Sequence, residues 1–158
     1  MSALAARRVI ILGALPRRRA WRAALGREPG RVISISPALS DALVDAGVAH
    51  RSSERYFAAA DWSAIHDRVA VQLRRMAAGS EAIARSPWLD DWSHLLGDEL
   101  RDTLYWMRVA EQVLRRERPH QVCVQRLASA HPASPALAAL RAAFAQFGHP
   151  CRPWPPAR

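Results

Sequence analysis

Residues 8–14 read RVIILGA, and residues 31–36 read RVISIS. In the first run Val9 to Leu12 are apolar at consecutive positions, and Gly13 and Pro16 close it. Unbroken apolarity of this kind marks a strand covered on both faces, as in a parallel sheet layered with helices. Between the two runs Pro16 stands at a favoured first-turn position. Arg17 to Leu25 follows with Ala20, Trp21, Ala24 and Leu25 on one side, and Gly26 with Pro29-Gly30 ends it, which reads as a helix. After RVISIS, the segment SPALSDALVDAGV reads as a second helix, capped by Ser36 ahead of Pro37 and closed by Gly47. Strand, helix, strand, helix is a βαβ pattern whose crossover is expected to be right-handed.

The pattern continues downstream. Residues 48–57 leave a short third strand or an extended loop open. Residues 61–78 space Trp62, Ile65, Val69, Leu73 and Met76 as a helix does, and Gly79 follows. The tryptophan-rich PWLDDWSHLLG at 87–97 leads into the strongest helical periodicity of the chain, Asp98 to Arg118, which Pro119 stops. QVCVQRL at 121–127 reads as a strand, residues 135–147 as a helix ended by Gly148, and residues 151–154 as an edge strand. The expected fold is therefore α/β: a Rossmann-like three-layer sandwich of four or five mostly parallel strands. Its first strand is central, flanked by the second and by QVCVQRL. All 158 residues fit one domain, with 149–158 as a Pro-rich tail or linker remnant.

Composition bounds the function. Half of the residues are hydrophobic and no apolar run approaches a membrane span. MSALAARR lacks the apolar core of a secretory signal, so the expected location is cytoplasmic. Two cysteines, Cys123 and Cys151, form neither a disulfide framework nor a CxxC motif. The formal net charge is +9 and all 23 basic residues are arginine. A basic balance points to an anionic partner, yet lysine-free, alanine-rich usage is also what a GC-rich bacterial genome writes.

Ligands of parallel sheets sit beyond the carboxyl ends of the strands. The candidates there are Gly13, Arg17 and Arg18 after the first strand, Ser36 after the second, and Ser129 and His131 after the strand at 121–127. A strand feeding a helix N-terminus offers amides to a phosphorylated or sugar ligand. GALPRRR supplies neither GxGxxG nor the GxxxxGK[ST] lysine, so no nucleotide cofactor is expected. Capping accounts for Ser36 and Ser134 without a ligand. His131 is the histidine placed for acid or base work, though no GxSxG elbow accompanies it. His94 and Asp98, four apart, share a helical face, but acidic residues at a helix start explain them and no metal site is expected. Trp62, Trp88, Trp92 and Trp106 read as core or interface anchors. They sit among acids, which speaks against a nucleic-acid stacking platform.

The strand VIILGA, the segment SPALSDALVDAGVAH followed by ERYF and an Asp-Trp helix, and LYWMRVAEQVLRRERPHQVCVQ leading to SAHPASPALAALRAAFAQFGHP resemble, in pattern, the N-terminal half of GT-B type bacterial surface-polysaccharide glycosyltransferases. That resemblance implies an acceptor-side Rossmann-like domain lacking the donor-binding domain and inactive alone. With it fits a basic helix, Arg17 to Arg27 around Trp21, in peripheral contact at the inner membrane with anionic lipid or a lipid-phosphate acceptor. Two other readings stand beside it. One is an α/β module for a small phosphorylated ligand; the other is an interaction domain that docks a partner chain or a second copy through Trp88 and Trp92.

Overall fold

The computed structural model describes residues 8–15, 30–79 and 89–154, with side chains in the last span described from 94 onward. Five strands form one all-parallel sheet: β1 (Arg8–Leu12), β2 (Gly30–Ser34), β3 (Arg51–Ser52), β4 (Gln121–Gln125) and β5 (Arg152–Trp154). Their order is β3-β2-β1-β4-β5, so β1 is central and flanked by β2 and β4 as the sequence implies. This is a Rossmann-like order, and its switch point falls between β1 and β4. In register, Arg8 lies opposite both Gly30 and Gln121.

Period-2 alternation divides the strand residues between two cores. Val9, Ile11, Ile33, Val122 and Val124 pack on one face under α3 (Leu89–Glu117) and α4 (Ser134–Gln146). Ile10, Leu12, Val32, Cys123 and Trp154 pack on the other, with Leu39 and Leu43 of α1 (Pro37–Asp45). Burying each such aliphatic side chain is worth about 1.5–3 kcal/mol. The remaining helix, α2 (Ala59–Ala78), lies against α3 and buries only Ile65 and Val69. Among the described residues no helix is long and apolar enough to cross a membrane.

Several boundaries differ from the sequence reading. The second strand stops at Ser34, because Ser36 has left the sheet to cap α1, its Oγ accepting from the Leu39 amide at 3.3 Å. The open segment 48–57 resolves into the two-residue β3 and a 3-10 turn over Ser53–Tyr56. The long helix starts at Leu89 and runs through Gly97. Glycine costs about 1 kcal/mol in a helix interior; a Cβ at Gly97 would meet the Arg101 guanidinium at 3.1 Å, with Leu73 Cδ1 of α2 at an ordinary 3.7 Å. Ser134 is not a cap; its hydroxyl donates to Ala128 O at 2.7 Å, and Ala133 holds the cap position with no side-chain bond. The sequence-predicted tail contributes β5, whose Trp154 is buried. The basic helix expected over Arg17–Leu25 lies outside the described residues, as does Trp88.

Candidate functional site: an aromatic and acidic cleft

The length of α3 positions the site. Its 29 residues span about 43 Å at 1.5 Å per residue, whereas a five-residue strand such as β1 spans about 17 Å. One end of α3 is fixed. Glu117, its last residue, has a side chain only 5% exposed and accepts three bonds: Tyr56 Oη at 2.6 Å, Arg51 Nη1 at 2.6 Å and Arg31 Nε at 3.2 Å. Burial, and then the hydrogen bond to the Glu117 carboxylate, push the Tyr56 phenol up to about 12. Arg31 is the second residue of β2 and the chain turns from Glu117 into β4, so this end of α3 lies at the amino edge of the sheet. The other end of α3 therefore overhangs the carboxyl edge, with α2 alongside it.

There the overhang, the segment after β3 and the segment after β4 enclose a cleft of about 850 Å³. Phe57 comes from the end of the 3-10 turn and Trp62 from the start of α2, Tyr105 and Trp106 from α3, Pro132 from the loop before α4 and Pro135 from the start of α4. The rings are ordered against one another: Trp62 stacks on Tyr105 at 5.6 Å and 14°, and Phe57 meets Trp62 edge-on at 4.9 Å. Trp62 nevertheless stays 43% exposed. Glu54, Glu99 and Asp102 add carboxylates and Thr103 a hydroxyl, and among the described residues no basic side chain lines the cleft.

Beside the cleft, Asp61 fixes the first turn of α2. Its carboxylate accepts from the Ala58 amide at 2.8 Å and from Arg108 Nε at 2.9 Å. The backbone bond first, and the arginine with it, hold this carboxyl below the usual carboxylate range.

Of the ligand candidates singled out in the sequence, none of those described lines this cleft. Gly13 ends β1 where α4 comes close: a Cβ there would fall 2.9 Å from Ala133 Cβ and 2.9 Å from Leu137 Cδ1, so packing alone requires glycine. The amides of Gly13 and Ala14, the phosphate donors of a nucleotide turn, both donate to Gln125 Oε1 at 2.9 Å. His131 is next to Pro132 of the cleft, but its Nδ1 accepts from the Ala133 amide at 3.1 Å and closes its own loop. Ser129 is exposed in that loop. Ser36 caps α1 on the opposite face of the sheet. Arg17 and Arg18 lie outside the described residues. The structure thus brings Gly13 and His131 to one end of α4 and leaves Ser36 apart.

Sequence reasoning passed over the ring cluster by assigning Trp62 and Trp106 as core or interface anchors. A signal was present. Tyr105 and Trp106 are adjacent on a helix, about 100° apart around its axis, so two large rings exceed what one core-facing stripe needs.

Among the described residues no group of three potential metal-ligating side chains converges. Comparison with protein-family models, with curated proteins and with solved structures returned no match.

Proposed function

We propose that this chain is a carbohydrate-binding Rossmann-like domain, the acceptor-side half of a GT-B-like glycosyltransferase of surface-polysaccharide synthesis that works with a separate donor-binding domain. The observation that carries the reading is the Trp62–Tyr105 stack, open to solvent on a cleft at the carboxyl edge of the sheet. Sugar rings present C–H faces that pack on aromatic surface, and their hydroxyls donate to carboxylates such as Glu99 and Asp102. The occupied Gly13 and Ala14 amides weigh against an alternative in which a phosphate sits in the first loop.

The test is titration of the protein with a panel of neutral and charged oligosaccharides, followed by tryptophan fluorescence and heteronuclear NMR. Binding is expected to perturb Trp62, Tyr105 and Trp106 and to be lost in Trp62→Ala with the circular dichroism unchanged. A panel that perturbs none of these residues refutes the reading.

A second reading, an interaction module, has its own support in the outer part of the α2–α3 pair. Val71, Met76 and Leu95 are 39%, 40% and 65% exposed there. Concentration-dependent association in sedimentation, abolished by Leu95→Glu, would favour it.

A further inference from the structure

We propose that the saccharide this cleft selects is an amino sugar carrying a free ammonium group. The proposal rests on the reading of the cleft as a carbohydrate site and concerns what chemistry that site prefers. Its basis is a local reversal of charge. The chain carries a formal net charge of +9 with every Lys/Arg position an arginine, yet among the described residues the cleft is lined by Glu54, Glu99 and Asp102 and by no basic side chain.

Elsewhere arginines find carboxylates. Asp61 and Glu111 hold Arg108, Asp98 holds Arg101, and Glu117 holds Arg31 and Arg51. Among the described residues no such ion pair engages the three cleft carboxylates, although Asp98 and Arg101 stand beside Glu99 and Asp102 on the same helix. They are left to accept from something else.

The rings beside them favour the same charge. Trp and Tyr faces attract a cation within about 6 Å through the ring quadrupole. Trp62 and Tyr105 offer such faces next to Asp102 and Glu99, about one and two turns before Tyr105 on α3. A sugar ring with an ammonium substituent satisfies both elements at once, its C–H face on the indole and its charge toward Asp102 or Glu99. A phosphorylated or uronic acid sugar would set like charges together.

The overall field of the protein makes the test discriminating. Non-specific electrostatics of a basic chain attract anionic sugars and repel cationic ones, so a preference for a cation has to arise locally. The experiment is calorimetric titration of the full chain under mildly acidic conditions. The probes are a glucosamine tetramer, its N-acetylated counterpart, a neutral glucose tetramer, glucose 6-phosphate and the polyamine spermidine.

Expected is binding of the glucosamine tetramer about tenfold or more tighter than its acetylated counterpart. Added salt should weaken it, and Glu99→Gln with Asp102→Asn, which preserve shape, should reduce the preference to about twofold or less. Equal affinity for the charged and acetylated tetramers overturns the inference while leaving carbohydrate binding intact. Tighter binding of the phosphosugar also overturns it, as does a cation preference that survives the double substitution. Spermidine binding as tightly as the amino sugar shows that the ammonium alone is recognised and overturns it too. Silence across all saccharides overturns both this inference and the function on which it rests.

Discussion

Replacing Glu117 by leucine tests whether the overhang of α3 is held from its far end. The carboxylate is nearly inaccessible, and so is Tyr56, 1% exposed, whereas Arg31 and Arg51 are 39% and 38% exposed. The buried phenol bond to a charged acceptor is the larger part, about 1.5–3 kcal/mol. The two arginine pairs are screened by solvent and each contributes about 0.2–1 kcal/mol. Glu117→Leu should therefore cost about 2–5 kcal/mol, with the Tyr56 hydroxyl left buried and unpaired. A domain of this size loses about 2–4 °C of Tm per kcal/mol, which places the shift at about 4–20 °C. Urea unfolding followed by far-ultraviolet circular dichroism measures it, and Tyr56→Phe alone and combined with Glu117→Leu completes a double-mutant cycle. A coupling of about 1.5–3 kcal/mol is expected because the double variant leaves no orphaned hydroxyl. A single-variant cost below about 0.5 kcal/mol, or additive effects, would refute the assignment of Glu117 as the anchor.

Other expectations follow from the same contacts. The folded Tyr56 phenol, raised from its ordinary value of 10.0 to about 12, holds its proton where the unfolded chain has released it, so stability is full below the ordinary value and falls as pH rises through about 12. The loss is roughly 2–3 kcal/mol; burial raises the Cys151 thiol to about 11 with the same sign, so comparison of alkaline unfolding with that of Tyr56→Phe isolates the tyrosine share. Gly13→Ala forces a methyl against Ala133 and Leu137 at 2.9 Å and should cost about 1–3 kcal/mol by thermal unfolding; a neutral result would mean that α4 yields freely at its start. Gln125→Met, which keeps volume but removes the acceptor of the Gly13 and Ala14 amides, should cost about 1–3 kcal/mol and raise hydrogen exchange at those two amides first. Unchanged exchange there would show that water replaces the carboxamide without loss.

How much of this was legible in the sequence depends on which forces were local. The apolar runs at 8–12 and 121–125, the Ser36 cap and the stop at Pro119 rest on side-chain burial and backbone chemistry within a few residues. They could be read from the order of residues, and with them the parallel sheet, its central first strand and the C-terminal edge strand. Ser134 misled because a hydroxyl at a helix start has more than one carbonyl or amide within reach, and Ala128 O won. The helix expected from Asp98 runs back through Gly97 to Leu89, although glycine disfavours a helix interior.

For the cleft, the sequence contained every ring and carboxylate but not their convergence. Glu54, Trp62, Asp102 and Pro132 meet only because α3 is longer than the strands are tall, is fixed at Glu117, and so carries its acidic and aromatic middle to the carboxyl edge. Composition determined that the protein is strongly basic, and periodicity that it is an α/β sheet protein. Tertiary structure alone decided that the cleft at the sheet's edge is acidic and aromatic, because charge sums over a whole chain whereas a cleft is lined only by the residues that packing brings to it.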